Sequence, residues 1–496
     1  MSFKPTEEQA RIFLFLKKRP EHLLIKAYAG CGKTSSIVEA VKMLPSDKNI
    51  MFLAFNKHIQ TELKTKLPEH VRCYTTYGLG TSAIKRKYGD KIVFDEFKAD
   101  KIILKKSKSW NLHEELKTQE RVDFYLNSIK KLANLCRLTL TVKPDYIPYI
   151  ADRYEINNLG KPEDIKRVLK VLDEMSKDRD SFDFTDMVYL PAIDNGIWMF
   201  PQDYVFVDEI QDVNRCQIRM IEKCLKRDKK TGKVLGRLIT VGDFFQGIYG
   251  FNGADEKSFE WFEKFPNTRV LPLSVSFRCS QAVIRKAQEI VPDIKALPDA
   301  PEGCVRDGNV LEEAQSGDFI LCRTTMPLVR LFFEFLTQHK KAIIKGSDIG
   351  VHLIELIGKI NNIEKLKSFW EGELAKFRKD LKSEGVLNPL EHSGYSALED
   401  KVMTLLFLAR ISESIGDLKM KITTIFTDEI QGIVLSTVHK IKGLEANRVF
   451  IVRPDLLPMP NVRSWQYIQE KNLEYVAITR AKLELIYDRT WTDEGK

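Results

Sequence analysis

Features of exported and membrane-spanning proteins are missing from this chain of 496 residues. Its eight cysteines are scattered without a Cys-x-x-Cys pair, so neither a disulfide framework nor a zinc site is expected. Met403 to Ala409 is typical of the longest apolar runs, which are far shorter than the roughly 18–20 residues of a membrane span. The start of the chain, MSFKPTEEQA, lacks the apolar stretch of a secretory signal. We therefore expect a protein that is not secreted and is cytoplasmic, or nuclear if the host is eukaryotic.

A strong excess of charge of either sign is also missing. The 78 Lys and Arg residues outnumber the 69 Asp and Glu residues only slightly, for a net charge of +9. This mild excess permits a polyanionic partner without requiring one. Hydrophobic residues at 43% and charged residues at 30% are typical of a globular protein. At roughly 100–200 residues per domain, the length predicts about three or four domains.

A phosphate-binding loop is the first informative motif. A short apolar segment is followed by a loop of small residues and then by the pattern of a helix start. In such a unit the backbone N–H groups wrap a triphosphate, Lys33 neutralises the β and γ charges, and Thr34 binds Mg²⁺. Gly30 and Gly32 stand where the backbone must approach the phosphates closely. The strict Gly-x-x-x-x-Gly-Lys-Thr pattern fails by one residue, because Ala27 replaces its first glycine.

Two adjacent carboxylates follow a second apolar strand pattern, Val205 to Val207. Asp208 at the end of this strand can hold Mg²⁺ through its water shell, and Glu209 can orient and deprotonate the attacking water. The other interpretation is a strand that merely stops at acidic surface residues. The phosphate loop and the carboxylate pair explain each other, which favours the functional interpretation.

A loop that contains several glycines and aromatic residues follows a third strand pattern, Arg237 to Val241. Gln246 in this loop suits a sensor of the γ-phosphate. Four aromatic residues lie in the same loop: Phe244, Phe245, Tyr249 and Phe251. Core packing explains about half of them. A ring just beyond the edge of a sheet is also where a single-stranded base would stack.

From residue 5 to about residue 482 the chain resembles the superfamily 1 DNA helicases of the UvrD/Rep type. In the first half, the segments similar to the Q motif and to motifs I, Ia, Ib, II and III are Pro5 to Gln9, Ala27 to Thr34, Phe52 to Lys57, Tyr74 to Gly78, Asp208 to Asp212, and Gly242 to Ala254. In the second half, the segments similar to motifs IV, V and VI are Leu273 to Ser280, Val434 to Glu445, and Glu474 to Lys482. Asn56-Lys57 and the region of Thr75 and Gly78 are most similar to the F-box DNA helicase branch, although no F-box is recognisable.

The resemblance implies ATP and Mg²⁺ as cofactors. Gln9 is implied to contact adenine and Phe277 to stack on it. Glu445 is the implied ribose contact, and Arg480 the implied arginine finger. The implied catalytic residues are Lys33, Asp208, Glu209, Gln246, Arg278 and Arg480, and the implied metal ligands are Thr34 and Asp208. The implied ATP-binding residues are Gln9, Ala29, Gly30, Cys31, Gly32, Lys33, Thr34, Ser35, Phe277, Arg278, Gly443, Glu445 and Arg480.

The resemblance also implies that single-stranded DNA lies in a groove across two motor domains. The implied contacts are Phe55, Asn56, Thr75, Tyr77, Phe251, Thr437 and His439, of which Phe55, Tyr77 and Phe251 would stack on bases. His439 fits a buried core histidine as well as it fits a phosphate contact. Two departures from the family fall on this DNA side. Phe251-Asn252 stands where tryptophan and arginine are usual, and Tyr77 stands where histidine is usual.

The expected fold class is α/β, with two RecA-like P-loop NTPase motor domains that each contain a parallel sheet and a mainly helical insertion. The first motor domain comprises residues 1–85 and 181–272, and its helical insertion comprises residues 86–180. The second comprises residues 273–345 and 429–496, with a reduced accessory insertion at 346–428. Lysines 105, 106 and 108 in the first insertion form either a solvated helix face or a contact to duplex DNA.

The leading functional hypothesis is an ATP-dependent DNA helicase or translocase that acts on single-stranded DNA and on junctions of single and double strands. The family resemblance implies 3′→5′ stepping and function as a monomer, and protein partners are unknown. The alternative is an ATPase stimulated by single-stranded DNA that displaces proteins with little unwinding. A phosphate-loop kinase or switch NTPase without nucleic acid is a third hypothesis, and the paired Arg278 and Arg480 argue against it.

Overall fold

The computed structural model describes residues 4–156, 158–248, 250, 253, 257–383, 392–460, 462 and 464–491. The chain divides into two compact units, Met1–Ser274 and Val275–Lys496. Each unit is built on a parallel sheet, so the prediction of two parallel α/β units is confirmed. Among the described residues, no helix has the length and apolar character needed to cross a membrane.

The first unit contains a six-stranded sheet with the strand order β3-β2-β6-β7-β1-β8, in which every described pair is parallel. Its strands, with a separate short pair β4 and β5, are β1 His22–Ala27, β2 Ile50–Ala54, β3 Arg72–Thr75, β4 Val93–Phe94, β5 Ser181–Phe182, β6 Tyr204–Val207, β7 Arg237–Gly242 and β8 Thr268–Leu273. All residues of β2 and β7 are buried. This is expected of parallel strands covered by helices on both faces.

The helices of the first unit are α1 Glu7–Lys18, α2 Lys33–Lys42, α3 Lys57–Lys66, α4 Thr76–Tyr88, α5 Lys98–Ser107, α6 Leu112–Leu116, α7 Gln119–Leu138, α8 Ile147–Arg153, α9 Pro162–Lys177, α10 Asp186–Ile193, α11 Arg215–Cys224 and α12 Ser258–Glu263. Short 3₁₀ helices cover Pro144–Tyr146, Ile210–Asp212 and Phe244–Gln246. α5 to α9 have a core of their own, in which Ile129, Val168 and Val171 are fully buried. The buried side of α9 repeats every three or four residues, as an amphipathic helix requires.

A buried ion cluster joins helices α5 and α7 to the start of α10 and the residues just before it. Arg137 of α7 donates to Asp183 at 2.6 Å and to Asp186 at 2.9 Å. Lys98 of α5 donates to the other oxygen of Asp186 at 2.7 Å. These side chains are almost completely removed from solvent. Such a cluster holds its backbone segments in place, because separating any one partner would leave a buried charge unpaired.

The second unit contains a seven-stranded sheet with the order β11-β17-β16-β12-β15-β13-β14, again parallel in every described pair. Its strands, with a separate pair β9 and β10, are β9 Val275–Ser276, β10 Lys295–Ala296, β11 Cys304–Asp307, β12 Phe319–Cys322, β13 Ala342–Lys345, β14 Phe426–Thr427, β15 Ile433–Thr437, β16 Ala446–Val452 and β17 Ala481–Asp488. Its helices are α13 Gln281–Gln288, α14 Val310–Glu313, α15 Met326–Thr337, α16 Ser347–Ile357, α17 Ile363–Ser383, α18 Ser393–Arg410, α19 Ile415–Ile425 and α20 Ser464–Ile478, with a 3₁₀ helix at Pro454–Leu456.

The second insertion differs from the first in how it packs. Its helices α16 to α19 share one apolar core with the sheet, in which Leu353, Trp370 and Leu405 lie together with Ile320 of β12. Asp400 of α18 also accepts hydrogen bonds from the first backbone N–H groups of α15, at 2.8 to 3.1 Å. The described part of residues 346–428 is therefore integrated into the second unit.

Candidate functional site

The loop between β1 and α2 has the shape of a phosphate cradle. Gly30 and Gly32 both have φ near +71°, a left-handed conformation that glycine adopts without steric cost. Gly32 is the cap residue of α2, so the free N–H groups of the first helical turn begin at Lys33. Backbone donors and the positive end of the helix dipole make this a site for anions.

The phosphate loop and the second motif meet directly. The Nζ atom of Lys33 lies 3.1 Å and 3.3 Å from the two carboxylate oxygens of Glu209. The hydroxyl of Thr34 donates to Asp208 Oδ2 at 3.3 Å. Asp208 and Glu209 directly follow β6, so the sheet brings four predicted site residues together at the carboxyl ends of its strands.

The electrostatics of this cluster favour a cation. Burial and the neighbouring Glu209 raise the pKa of Asp208 to about 7. Burial also raises the pKa of Asp243, at the end of β7, to about 6. Burial alone would lower the pKa of Lys33, but Glu209, Asp243 and Asp208 outweigh it and the pKa is raised. Three carboxylates around one ammonium group leave negative charge to be neutralised.

The donor set fits Mg²⁺. A carboxylate from Asp208 and a hydroxyl from Thr34 lie in hydrogen-bond contact, so one hard cation could bind both oxygens. Mg²⁺ usually takes one or two protein oxygens and completes its shell with water and substrate phosphates. Among the described residues there is no group of three or more His, Cys, Asp or Glu that could bind a metal by itself. The site therefore suits a metal that arrives with a phosphate ligand.

Gln211, to which the motifs assigned no role, connects the residues that follow β6 and β7. Its amide nitrogen donates to Glu209, and its amide oxygen accepts from the backbone N–H of Asp243 at 3.0 Å. Glu209 itself has φ of +52°, an uncommon conformation for a residue with a side chain. A Cβ atom on Gly242 would lie 2.6 Å from the amide oxygen of Gln211, so only glycine leaves room for this contact. The one available sequence signal was the position of Gln211, two residues after Glu209.

Gln246, the predicted γ-phosphate sensor, is buried and donates to Asp243 Oδ2 at 2.7 Å. The other oxygen of Asp243 accepts from the backbone N–H of Phe245 at 3.1 Å. Asp243 therefore holds Gln246 in position. Its role was not predicted either, because the sequence shows only one more acidic residue after a strand.

Gln9, the predicted adenine contact, is buried and has partners at both ends of its amide. Its oxygen accepts from the backbone N–H of Thr6 at 2.9 Å, and its nitrogen donates to the hydroxyl of Ser36 at 2.9 Å. Ser36 in turn donates to the carbonyl of Gly32 at 2.8 Å. These contacts link α1 to the phosphate loop, and the adenine contact stays a prediction.

The remaining predicted residues of the loop differ in exposure. Ala29 and Cys31 are buried, and the Cys31 thiol lies 3.7 Å from the carbonyl of Ala29. Burial raises the pKa of the Cys31 thiol, so it is a packing residue and not a nucleophile. Ser35 is exposed on the first turn of α2.

In the second unit, the predicted ATP residues form their own cluster. Arg278 is ion-paired with Glu445 and donates to the carbonyl of Thr479 at 3.2 Å. Lys482 contacts the other oxygen of Glu445 at 2.9 Å. Arg480 is almost fully buried and donates to the carbonyls of Val476 and Leu444, at 3.0 Å and 3.1 Å.

Three features of this second cluster suit a nucleotide. Burial and the nearby Arg278 lower the pKa of Arg480 to about 9, so it still carries its charge at neutral pH. Phe277 is 47% exposed, which leaves its ring open for stacking. Gly443 has φ of +92° with open space around it. The ribose contact of Glu445 stays a prediction, because both of its oxygens already have cationic partners.

The predicted DNA residues of the first unit line the ends of β2 and β3. Phe55 is 37% exposed. Asn56 accepts from the backbone N–H of Ile59 at 2.9 Å and so caps α3. Thr75 accepts from the backbone N–H of Gly78 at 3.0 Å and so caps α4. Both polar side chains therefore have a local structural role.

Tyr77 is half-buried, and one face of its ring is covered. The ring of Phe184 stacks on it with the centroids 4.1 Å apart and an interplanar angle of 18°. Phe184 is 60% exposed, so the outer surface of this aromatic pair belongs to a residue to which the sequence analysis gave no role. Phe251, the third predicted stacking residue, lies outside the described residues.

The predicted DNA residues of the second unit are less open. Thr437, at the end of β15, is buried. His439 is half-buried, and burial together with Arg323, Lys440 and Lys442 holds its pKa well below the usual value. A neutral imidazole adds no positive charge to a phosphate contact. Its contact to DNA stays a prediction.

Comparison with known proteins agrees with this geometry. Residues 6–267 match the UvrD/REP helicase N-terminal domain, and residues 323–490 match the UvrD-like helicase C-terminal domain. The chain belongs to the UvrD/Rep helicase family. The resemblance predicted from the motifs is thereby confirmed. Among the site residues, Lys33 and Glu209 lie in the first matched range and Arg480 in the second, while Phe277 and Arg278 fall between the two ranges.

Two of the individual relatives of this chain are F-box DNA helicases. The chain is 26% identical to F-box DNA helicase protein 1 of Schizosaccharomyces pombe, over 98% of this chain and 58% of the relative. It is 24% identical to F-box DNA helicase 1 of Gallus gallus, over 98% of this chain and 49% of the relative. It is 23% identical to ATP-dependent DNA helicase PcrA of Bacillus subtilis, over 54% of this chain and 37% of the relative. The chain thus spans about half the length of the first two relatives.

Proposed function

We propose that this chain is an ATP-dependent DNA helicase or translocase that couples ATP hydrolysis to movement along single-stranded DNA. The observation that carries the proposal is the contact of Lys33 with Glu209 and of Thr34 with Asp208 in a member of the UvrD/Rep family. These four side chains supply the charge neutralisation, metal ligands and base that phosphoryl transfer requires.

Each residue has a specific part in this proposal. The backbone N–H groups after Gly32 and the ammonium group of Lys33 bind the phosphates. Mg²⁺, held by Thr34 and Asp208, would neutralise charge on the phosphate oxygens. Glu209 accepts a proton from the attacking water, and Gln211 keeps its carboxylate in position.

The Lys33–Glu209 ion pair suggests how phosphate binding prepares the base. Phosphate oxygens compete with Glu209 for the ammonium group of Lys33. When Lys33 turns to the phosphates, the carboxylate of Glu209 loses its cation and becomes a stronger base. The site thus activates its base only when substrate is bound.

On the DNA side, we propose that Phe55 and the outer face of Phe184 stack on bases, with Tyr77 as the support beneath Phe184. Base stacking on an aromatic ring contributes about 1–3 kcal/mol per base. The family resemblance supports 3′→5′ stepping, action at junctions of single and double strands, and function as a monomer. Such a motor acts where DNA is found, in the cytoplasm or, in a eukaryotic host, in the nucleus.

The alternative function is an ATPase that displaces proteins from single-stranded DNA with little unwinding. The packing of the second insertion favours it, because helices α16 to α19 share the core of their unit. An insertion that shares the core of its unit is poorly suited to move as an independent domain and contact duplex DNA.

A strand-separation assay distinguishes these functions. The substrates are partial duplexes with a single-stranded 3′ tail or 5′ tail, and a second set carries a protein bound to the tail. Glu209→Gln serves as the inactive variant. The matched control is Glu260→Gln, which removes one carboxylate from an exposed pair with Lys264.

The proposal expects ATP-dependent separation of the 3′-tailed duplex by the wild type and by Glu260→Gln, and none by Glu209→Gln. Removal of the bound protein without strand separation would establish the alternative. Separation of the 5′-tailed duplex alone would contradict the polarity. Failure in every assay, with ATP present, would overturn the proposal.

A further inference from the structure

The outer face of α4 forms a shallow polar groove in the first unit. The inner side of this helix is buried and includes Leu79, Ala83 and Ile84. The opposite side lines a cavity of about 610 Å³ formed by Gly78, Thr81, Ser82, Lys85, Arg86, Gly89 and Asp90. From Gly78 to Gly89 the groove follows the helix for ~16 Å, at a rise of about 1.5 Å per residue. Small and hydroxyl side chains line one end, and Lys85 and Arg86 line the other together with one carboxylate, Asp90.

Two arginines and two exposed aromatic residues lie at the basic end. The guanidinium carbon of Arg86 is 4.4 Å from the ring centroid of Phe200, and that of Arg72 is 5.3 Å from the same centroid. Trp198 packs edge-on against Phe200 with the centroids 4.7 Å apart. Arg86 also donates to the backbone carbonyl of Trp198 at 3.0 Å. The indole of Trp198 is 56% exposed, although its backbone is fixed by this contact.

One carboxylate, Asp90, lines the cavity at this end, but it forms no ion pair with its basic residues in the described part of the chain. Lys87 is ion-paired with Asp194. No carboxylate of the described residues pairs in this way with Arg72, Lys85 or Arg86. Two guanidinium groups that share one ring repel each other, and an anion placed between them removes that cost.

We propose that this face binds single-stranded nucleic acid, with phosphates along Lys85, Arg86 and Arg72 and one base stacked on Trp198. Basic side chains that follow a groove and an exposed ring beside them are the two elements of single-strand binding. The groove also continues from the predicted DNA face, because α4 begins directly after Thr75. The inference rests on the proposed function. It assigns this face to the part of the bound nucleic acid that extends beyond the motif residues.

The test compares binding of short and long oligonucleotides to the whole chain. Fluorescence anisotropy is measured with oligothymidylates of about 8 and about 20 nucleotides, a range typical of single-strand sites. The variants are Trp198→Ala, Arg86→Gln and Lys85→Gln. The matched control, Arg219→Gln, removes an exposed arginine of α11 that pairs with Glu222. Thermal unfolding of each variant verifies folding, and Trp198→Ala tests the site independently if Arg86→Gln does not fold.

The wild type is expected to bind the longer oligonucleotide more tightly. Trp198→Ala should weaken that binding at least ~5-fold and leave the shorter one unchanged, since one stacked base is lost. The slope of log K against log salt is negative, and Arg86→Gln should reduce its magnitude by about 0.7 for the longer oligonucleotide alone. Arg219→Gln should bind both strands like the wild type.

Equal effects of Trp198→Ala and Arg219→Gln on the longer strand would overturn the inference. Tighter binding of polyglutamate than of the oligonucleotide at this face would also overturn the inference, because the groove would then suit an acidic protein segment. A failure of the proposed function would give a different result. ATP hydrolysis by the wild type would then not respond to the shorter oligonucleotide, which the motif residues are expected to bind.

Discussion

Lys33 and Glu209 are 176 residues apart in the chain and form an ion pair with Nζ 3.1 Å from Oε1. The pair joins the residue that binds phosphate to the residue that activates water. The ion pair therefore holds both side chains in position until a phosphate binds to Lys33.

Glu209→Gln should separate nucleotide binding from hydrolysis. Loss of a general base lowers kcat by roughly 10²–10⁴-fold. The affinity for ATP should stay the same or rise, because the competing negative charge beside Lys33 is removed. Binding of a fluorescent ATP analogue and steady-state phosphate release measure the two quantities. Equal loss of binding and of turnover would show that Glu209 acts as a structural partner of Lys33.

Gly242→Ala should lower ATP hydrolysis through Gln211. The added Cβ would lie 2.6 Å from the amide oxygen of Gln211 and from Cγ1 of Ile210, so the Gln211 amide must shift and its contact with Glu209 is disturbed. The matched control is Gly372→Ala in α17, where a Cβ meets nothing within 4 Å. That change should stabilise the helix by up to about 1 kcal/mol and leave kcat unchanged. Unchanged kcat in Gly242→Ala, with a normal unfolding transition, would contradict the positioning role of Gln211.

Asp186→Ala should destabilise the first unit by about 3–5 kcal/mol, because Arg137 and Lys98 would lose a buried partner. Asp173→Ala serves as the control. Asp173 forms an exposed pair with Lys177, and its loss should cost less than about 1 kcal/mol. Denaturant unfolding of both variants measures the difference. A similar, small cost in both would show that the cluster contributes little to stability.

His22 should make the first unit less stable in acid. Burial and the nearby Arg237 lower the pKa of His22 to about 4, and its Nδ1 accepts from the backbone N–H of Leu238 at 2.9 Å. The unfolded chain binds a proton below pH about 6.5, while the folded chain resists it. Stability from this group is therefore complete above pH 6.5 and is lost as pH falls toward 4, on the order of 2 kcal/mol.

The control for this pH effect is His22→Asn, which keeps an acceptor without a titrating group. Denaturant unfolding at pH 7, 5.5 and 4.5 gives the free energy of unfolding for both proteins. The difference between wild type and variant should shrink in acid. A constant difference would show that the pKa of His22 is the same in the folded and the unfolded chain.

Local sequence patterns were sufficient for the elements that hold the site. The apolar strand, glycine loop and helix start around Lys33 specify one another over about ten residues, and Asp208 ends a strand with a clear apolar pattern. The parallel sheet then follows, because alternating strands and helices favour it.

The contacts within the site could not be predicted in the same way. Gln211 reaches Asp243 only because β6 and β7 are neighbours in the sheet, and no local pattern specifies side-chain contacts between strands. For the same reason, the sequence identified Tyr77 but not Phe184, the ring that covers it. The second insertion was predicted from a helical period of interleaved Glu and Lys residues, whereas its shared core depends on packing across the whole unit.

The most direct test of the central claim is the rate of ATP hydrolysis with and without a single-stranded oligonucleotide. We expect strong stimulation in the wild type and no activity above background in Glu209→Gln under either condition. A wild-type rate that is the same with DNA, with RNA and with neither would contradict the claim that this site drives a nucleic-acid motor.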